Sequence, residues 1–219
     1  MKNKTATLIG ATGLIGSHLL ELLQKDSEFS QIKVLVRRPI TFTSPMVKTV
    51  VIDFSNLESF KLGISESDVI FCAIGTTNKK MKGNIEQYRK IDFDIPLNAA
   101  KLGLETGCDK YVFVSSFGAN SKSTNFYLKL KGETEDALSD LNISSLLLFR
   151  PSLLLGKRKE LRLGEIMGRL FMVPLSFLIP TRMRPIKAQW VAKSMLEATK
   201  LETKGVNIYH FNEMKKLIN

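Results

Sequence analysis

The run Gly10-Ala11-Thr12-Gly13-Leu14-Ile15-Gly16 constrains this chain more than any other segment. It follows the β-type residues Thr5–Ile9 and precedes Leu14–Lys25, where Leu19, Leu20, Leu22 and Leu23 give a helix its apolar face. Each glycine in such a strand-to-helix turn meets a separate need. Gly10 permits the tight turn, Gly13 lets the backbone approach a diphosphate, and Gly16 lets the helix pack closely on the strand. The helix start adds unpaired N–H groups and a partial positive charge. The segment reads as a dinucleotide-phosphate loop with contacts from Gly10, Thr12, Gly13, Leu14, Ile15 and Gly16. No Lys-Ser or Lys-Thr follows the glycines, which argues against a nucleoside-triphosphate loop. An ordinary strand-to-helix turn is the plain alternative.

The rest of the pattern repeats strand and helix in alternation. Further strands are predicted at Ile32–Val36, Val47–Ile52, Val69–Ile74, Tyr111–Ser115 and Ser145–Phe149. A long helix is predicted over Ile85–Glu105, kinked or divided by Pro96, and another over Phe126–Leu141. Runs of Val, Ile, Leu and Phe without polar alternation suit a parallel sheet covered on both faces. The fold class is α/β, a doubly wound parallel sheet of about seven strands with right-handed crossovers. At 219 residues the chain is one domain, with residues 1–150 as cofactor-binding core and 151–219 as a small covering region with returning elements.

The strand ends following the first carry the next set of candidates. Arg37-Arg38 ends the second strand, where an acidic residue would favour NAD by accepting ribose hydroxyl hydrogen bonds. A guanidinium there can instead bind a 2′-phosphate bidentately, so NADP is expected over NAD. A solvated basic pair is the alternative. Asp53, with Phe54, is placed to meet adenine, although Asp53 could equally cap a short helix near Asn56. Ala73-Ile74-Gly75 can pass the ribose with little steric bulk.

Tyr127 and Lys131 stand at i and i+4 on a predicted helix and share a face. Ser115 and Ser116 end the preceding strand. A tyrosine has an ordinary pKa of about 10 and needs help to act as acid or base at neutral pH. A neighbouring ammonium supplies that help by favouring phenolate. Ser116 would then hold a substrate oxygen while Tyr127 moves the proton. A non-catalytic Tyr-x-x-x-Lys pair would be a half-buried tyrosine beside an exposed lysine.

Together, Gly10–Gly16, Ser115-Ser116, Tyr127 and Lys131 resemble the short-chain dehydrogenase/reductase superfamily over nearly the whole chain. Phe71–Thr77 and the stretch SSFGANSKSTNFYLKLKGE, Ser115–Glu133, look most like its atypical branch containing the Tat-interacting oxidoreductase-like group. The resemblance implies an NADP-binding Rossmann domain with a small substrate-covering region. It also assigns Arg150-Pro151-Ser152 to the passage beside the nicotinamide, and Lys131 to the ribose. Many superfamily members carry an asparagine on the fourth helix that organises a proton-relay water; this sequence has Asp92 in the nearest equivalent stretch. The resemblance implies hydride transfer with a carbonyl or alcohol. A non-enzymatic NADP-binding regulatory protein and a nucleoside-diphosphate-sugar epimerase are the alternatives.

Charge adds a further constraint. The chain holds 32 Lys+Arg against 21 Asp+Glu, and residues 150–193 alone hold 10 against 2. That segment includes the apolar stretch Leu170–Ile179. It would cap an active site, with Arg182 or Arg184 suited to an anionic substrate group, lie on an anionic membrane surface, or meet a partner or second copy. Nucleic acid is not expected, because the cations are interleaved with Met and Leu. Arg182–Ile186 reads as an edge strand followed by a helix over Ala188–Ala198, and His210 falls on a last strand. No metal site is expected at His18 or His210. Cys72 and Cys108 give no disulfide framework and read as reduced thiols. Gly10, Gly13, Gly16, Ser17 and His18 break up any signal-peptide core, and no run reaches the roughly 18 apolar residues of a spanning helix. These features predict a soluble, cytoplasmic protein, monomer or homodimer, acting on a small molecule.

Overall fold

The computed structural model describes residues 3–76, 83–156 and 181–219. Leu170–Ile179 and most of the basic segment lie outside them. Seven parallel strands form one sheet: β1 (Lys4–Ile9), β2 (Phe29–Val36), β3 (Val47–Val51), β4 (Val69–Cys72), β5 (Lys110–Val114), β6 (Ser145–Phe149) and, last in sequence, β9 (Gly205–Tyr209). Their spatial order is β3-β2-β1-β4-β5-β6-β9. Strands buried on both faces explain the apolar runs, since successive side chains enter opposite cores. On β4, Val69 and Phe71 enter one core and Ile70 and Cys72 the other; on β6, Leu147 and Phe149 oppose Leu146 and Leu148.

Helices complete each layer. Leu19, Leu20 and Leu23 of α1 (Leu14–Leu23) share one core with Val191, Met195 and Leu196 of α6 (Ala188–Lys200) and Met214 of α7 (Phe211–Lys216). The opposite core takes Phe60 and Ile64 of α2 (Leu57–Ile64), Ala99 and Leu102 of α4 (Ile95–Glu105) and Leu138 of α5 (Phe126–Ser139). The predicted helix over 85–105 is divided: α3 (Ile85–Arg89) passes into a π-helical turn, Lys90–Asp94, before α4 resumes. The division lies just before Pro96, whose missing N–H cannot bond the Asp92 carbonyl four residues earlier.

Other sequence expectations shift. β4 ends at Cys72 and β5 at Val114, so Ala73-Ile74 and Ser115 lie in the loops beyond. Arg182–Ile186 is not an edge strand of the main sheet. A 3₁₀ turn spans Thr181–Met183, and Ile186–Lys187 (β8) pairs with Leu154–Leu155 (β7) in a separate two-stranded sheet. His210 lies one residue past β9, where its N–H donates to the Glu213 carboxylate, 3.0 Å away, at the start of α7. Two polar neighbours explain that turn better than strand propensity, because a side chain three residues into a helix can answer a backbone donor at its start.

Both thiols lie within the α4-side core. Burial pushes the Cys72 thiol up to about 11 and the Cys108 thiol up to about 11. The thiolate is the reactive form. Ellman's reagent at pH 8 is therefore expected to leave both thiols of the native protein unmodified and to titrate two once guanidinium unfolds it; fast native labelling would contradict this burial.

Candidate active site

The chain reverses its direction across the sheet between β1 and β4, and in open α/β sheets such a crevice at the carboxyl ends is where ligands bind. Gly10 sits in it. Its φ is +91°, and a Cβ there would lie 2.7 Å from the Ala73 carbonyl carbon. Only glycine tolerates both the left-handed backbone and the close approach. A Cβ at Gly16 would collide with the Gly10 carbonyl oxygen, so α1 meets β1 backbone to backbone. The Gly13 N–H donates to the Gly10 carbonyl at 2.9 Å and closes the turn. Gly13 begins α1 without a side-chain cap, whereas Asn56, Asn84 and Asn125 cap α2, α3 and α5. Thr12 and Gly13 are exposed, Ile15 is buried as an anchor, and Leu14 lies against Gly156, so the segment after β6 passes beside the loop. An exposed cradle of backbone at an uncapped helix start fits a phosphate group.

Arg37 and Arg38 stand exposed just past β2. Asp53 is exposed too. Its carboxylate accepts from the Ser55 hydroxyl at 2.7 Å and the Ser55 N–H at 2.9 Å, which hold its pKa below the usual value. The alternative role as helix cap belongs to Asn56, which accepts from the Ser59 N–H at 3.0 Å. Phe54 packs edge-on to Phe60 at 5.0 Å, leaving it half-buried. Ala73 and Ile74 are half-buried and Gly75 is exposed along the crevice.

The Tyr127–Lys131 pair is the reverse of the non-catalytic arrangement. Tyr127 is 37% exposed, whereas the Lys131 side chain is 3% exposed. Lys131 Nζ lies 3.1 Å from Asp92 Oδ1, 3.4 Å from the Val114 carbonyl and 4.8 Å from the Phe113 ring centre. Burial presses the ammonium toward neutrality, yet the Coulombic pull of Asp92 and then of Tyr127 overrides it and leaves the pKa raised. Ser115 is buried at the end of β5, and its hydroxyl has no hydrogen-bond partner among the described residues. Ser116 is half-buried, and its hydroxyl reaches only the Phe117 carbonyl of its own loop at 3.3 Å. Both hydroxyls retain bonding capacity for an incoming group.

Arg150 is placed differently from Ser115 and Lys131. Its Nε donates to Glu135 Oε1 at 2.9 Å, and a second fork arm bonds Oε2 of the same buried carboxylate. The guanidinium is committed to α5. Pro151 is buried, its carbonyl accepting from the Phe117 N–H at 2.9 Å, and the Ser152 hydroxyl bonds the Arg184 carbonyl. These residues brace the loops after β5 and β6.

Thr134, Glu135 and Tyr88 escaped the sequence reading as site components, and Asp92 entered it only as the nearest equivalent of a relay asparagine. Asp92 has 0% exposure and its Oδ2 accepts from the Thr76 N–H at 2.8 Å. The Thr134 hydroxyl lies 2.8 Å from the Leu130 carbonyl and 3.2 Å from that of Asp92, the group Pro96 leaves without a helical donor. Glu135 holds Arg150, and the Tyr88 hydroxyl donates to the Thr76 carbonyl at 3.3 Å. The available signal was an acid four residues before a proline inside a helix.

A match to the NAD(P)H-binding family covers residues 10–146, and the chain belongs to that family. It is 34% identical to Protein HTATIP2 of Rattus norvegicus over 174 residues, 78% of this chain and 71% of the relative. It is 37% identical to the mitochondrial protein FMP52 of Candida albicans over 157 residues, 70% of this chain and 68% of the relative. Among solved structures, MoeE5 in complex with UDP-glucuronic acid and NAD shares the fold at TM-score 0.73 and 15% identity, covering 98% of this chain and 82% of that one. The yeast relatives correct the cytoplasmic expectation: three FMP52 proteins are named mitochondrial, which points away from the cytoplasm. Reduced, buried thiols and a Rossmann start carry no compartment address, so composition could not have decided it. Among the described residues no helix is long and apolar enough to cross a membrane.

The Arg150–Glu135 pair yields a test of the α5 anchor. Glu135→Gln leaves a guanidinium without its counter-charge, which costs about 3 kcal/mol for a largely buried pair. The urea midpoint is expected to fall by that equivalent with the slope unchanged, and an unchanged midpoint would remove Arg150 from the list of structural anchors.

Proposed function

We propose that the protein is an NADP-dependent oxidoreductase of the atypical short-chain type, moving hydride to or from a small carbonyl or alcohol substrate. The observation that carries this reading is the inversion at Tyr127 and Lys131: the lysine is buried under the serine-bearing strand end and the tyrosine is left accessible. A lysine with no task there would reach solvent, because burying an ammonium costs free energy. When bound, the nicotinamide supplies the hydride acceptor or donor.

The chain's own residues do the rest. The α1 start and Gly10–Gly16 hold the diphosphate. Arg37 and Arg38 would hold the 2′-phosphate, and Ala73, Ile74 and Gly75 would pass the ribose without bulk. Lys131 holds positive charge on the helix that carries Tyr127. Tyr127 gives or takes the proton at the substrate oxygen, and Ser116 orients that oxygen, with Ser115 beneath it. The described residues up to 150 form the cofactor core, and those at 151–156 and 181–219 brace it. The ion pair to Asp92 compensates part of the charge that Tyr127 would feel, which favours a second reading, a cofactor-binding protein without turnover.

Two measurements separate the readings. NADPH is expected to bind about tenfold or more tightly than NADH, the value of one charge-assisted contact, and Arg37→Ala with Arg38→Ala should erase the difference. Equal affinities in the unaltered protein would remove the NADP assignment. NADPH oxidation over a panel of aldehydes, ketones and quinones should reveal a substrate whose turnover falls about 10²–10⁴-fold in Tyr127→Phe. Tight binding with no Tyr127-dependent turnover would select the second reading.

A further inference from the structure

A buried ammonium must find a counter-charge or surrender its proton. The hydroxyls of a ribose are neutral and cannot provide one. Among the described residues, the only carboxylate within ion-pair distance of Lys131 Nζ is Asp92, at 3.1 Å, and Asp92 itself is 0% exposed. The Lys131 ammonium is the partner of its Oδ1, which is buried and also borders Gly75. Its Oδ2 is taken by the Thr76 N–H at 2.8 Å, in the loop that follows β4 and borders the cofactor crevice. The π-helical turn Lys90–Asp94 carries Asp92, and such turns add a residue and re-aim the side chains of a helix. Thr134 steadies the Asp92 carbonyl from α5, three residues beyond Lys131. The other titratable groups acting on Lys131 are Tyr127 on its own helix and Cys72 on β4, whose thiol, at about 11, is neutral near pH 7.

We propose that Asp92 is a positioning residue: it keeps Lys131 charged and fixed before any cofactor arrives, and ties it to the Thr76 loop. This deepens the reading of Tyr127 and Lys131 given above and rests on it. A neutral asparagine at this place could order a water but could not balance the lysine. With a carboxylate there, the ammonium is preorganised by the chain, and Tyr127 meets a cation whose position and protonation do not wait on binding.

The test is Asp92→Asn, which retains an oxygen for the Thr76 N–H and removes only the charge. Lys131 is followed by side-chain NMR in the cofactor-free protein, its signal assigned by its loss in Lys131→Met. The unaltered lysine is expected to stay protonated to at least its ordinary pKa of about 10.4. In Asp92→Asn its midpoint should fall by about two pH units or more, because burial then acts almost unopposed. NADPH affinity between pH 7 and 9, read by fluorescence, should decline with rising pH in Asp92→Asn and stay flat in both the unaltered protein and the Asp92→Asn/Lys131→Met double variant. An unchanged Lys131 midpoint in Asp92→Asn would overturn the proposal. If Asp92→Asn alone does not fold, the double variant should, having no unpaired charge; equally severe loss in the double variant would reduce Asp92 to a packing residue and overturn the proposal as well. The titration needs neither cofactor nor substrate. A missing Tyr127-dependent turnover would therefore count against the oxidoreductase reading and leave the Asp92 result standing.

Discussion

One ammonium held out of water organises much of this molecule. Lys131 faces the sheet from α5, and the inner face of that helix is unusually polar, with Lys131, Thr134 and Glu135 all buried. Each must be answered, since an unpaired polar group inside a protein costs more than the bond it would make gains. Asp92 answers the lysine, the Asp92 and Leu130 carbonyls share the threonine proton, and Arg150 answers the glutamate. The answers come from the π turn and from the residue after β6. Satisfying one helix therefore fixes the two segments on either side of the candidate catalytic residues.

The other half of the site depends on backbone contact. At Gly10 and Gly16 the glycine-rich turn, the end of β1 and the residues after β4 approach so closely that a single methyl group would not fit. This packing brings the uncapped start of α1 to the same edge as the Thr76 amide. Asp92 binds that amide on one side and Lys131 on the other. The cofactor crevice and the tyrosine-bearing helix are thus joined by one carboxylate rather than merely adjacent.

Most of the architecture was legible from local pattern. β6 is predicted to the residue, and the doubly wound parallel sheet of about seven strands follows from strand–helix alternation with both faces buried, while the strand order is seen only in the structure. Ends were less legible where a loop residue is as apolar as a strand, as with Ala73-Ile74 after β4. The short pairing of Ile186 with Leu154 had no period long enough to show, so Arg182–Ile186 read as a sheet edge. Within the site, the glycines, Tyr127, Lys131 and the serines were visible because each group falls within one short stretch of chain at a recognisable spacing. Thr134 and Glu135 were not, because each acts through a partner far away in sequence, and Asp92 was visible only in the place of a relay asparagine, without its pairing to Lys131. Arg150 was visible but committed elsewhere, since nothing local to it shows that α5 offers a buried carboxylate.

By itself the sequence determined the doubly wound sheet, the glycine-rich turn after β1 and the shared helix of Tyr127 and Lys131. These follow from periodicity and from the steric freedom of glycine, both properties of neighbouring residues. The tertiary structure decided which of the two side chains is buried, which acid stands beside the lysine, and which cation is left for a ligand. Those outcomes depend on desolvation and charge pairing between elements more than a dozen residues apart, and burial has no value until the layers close.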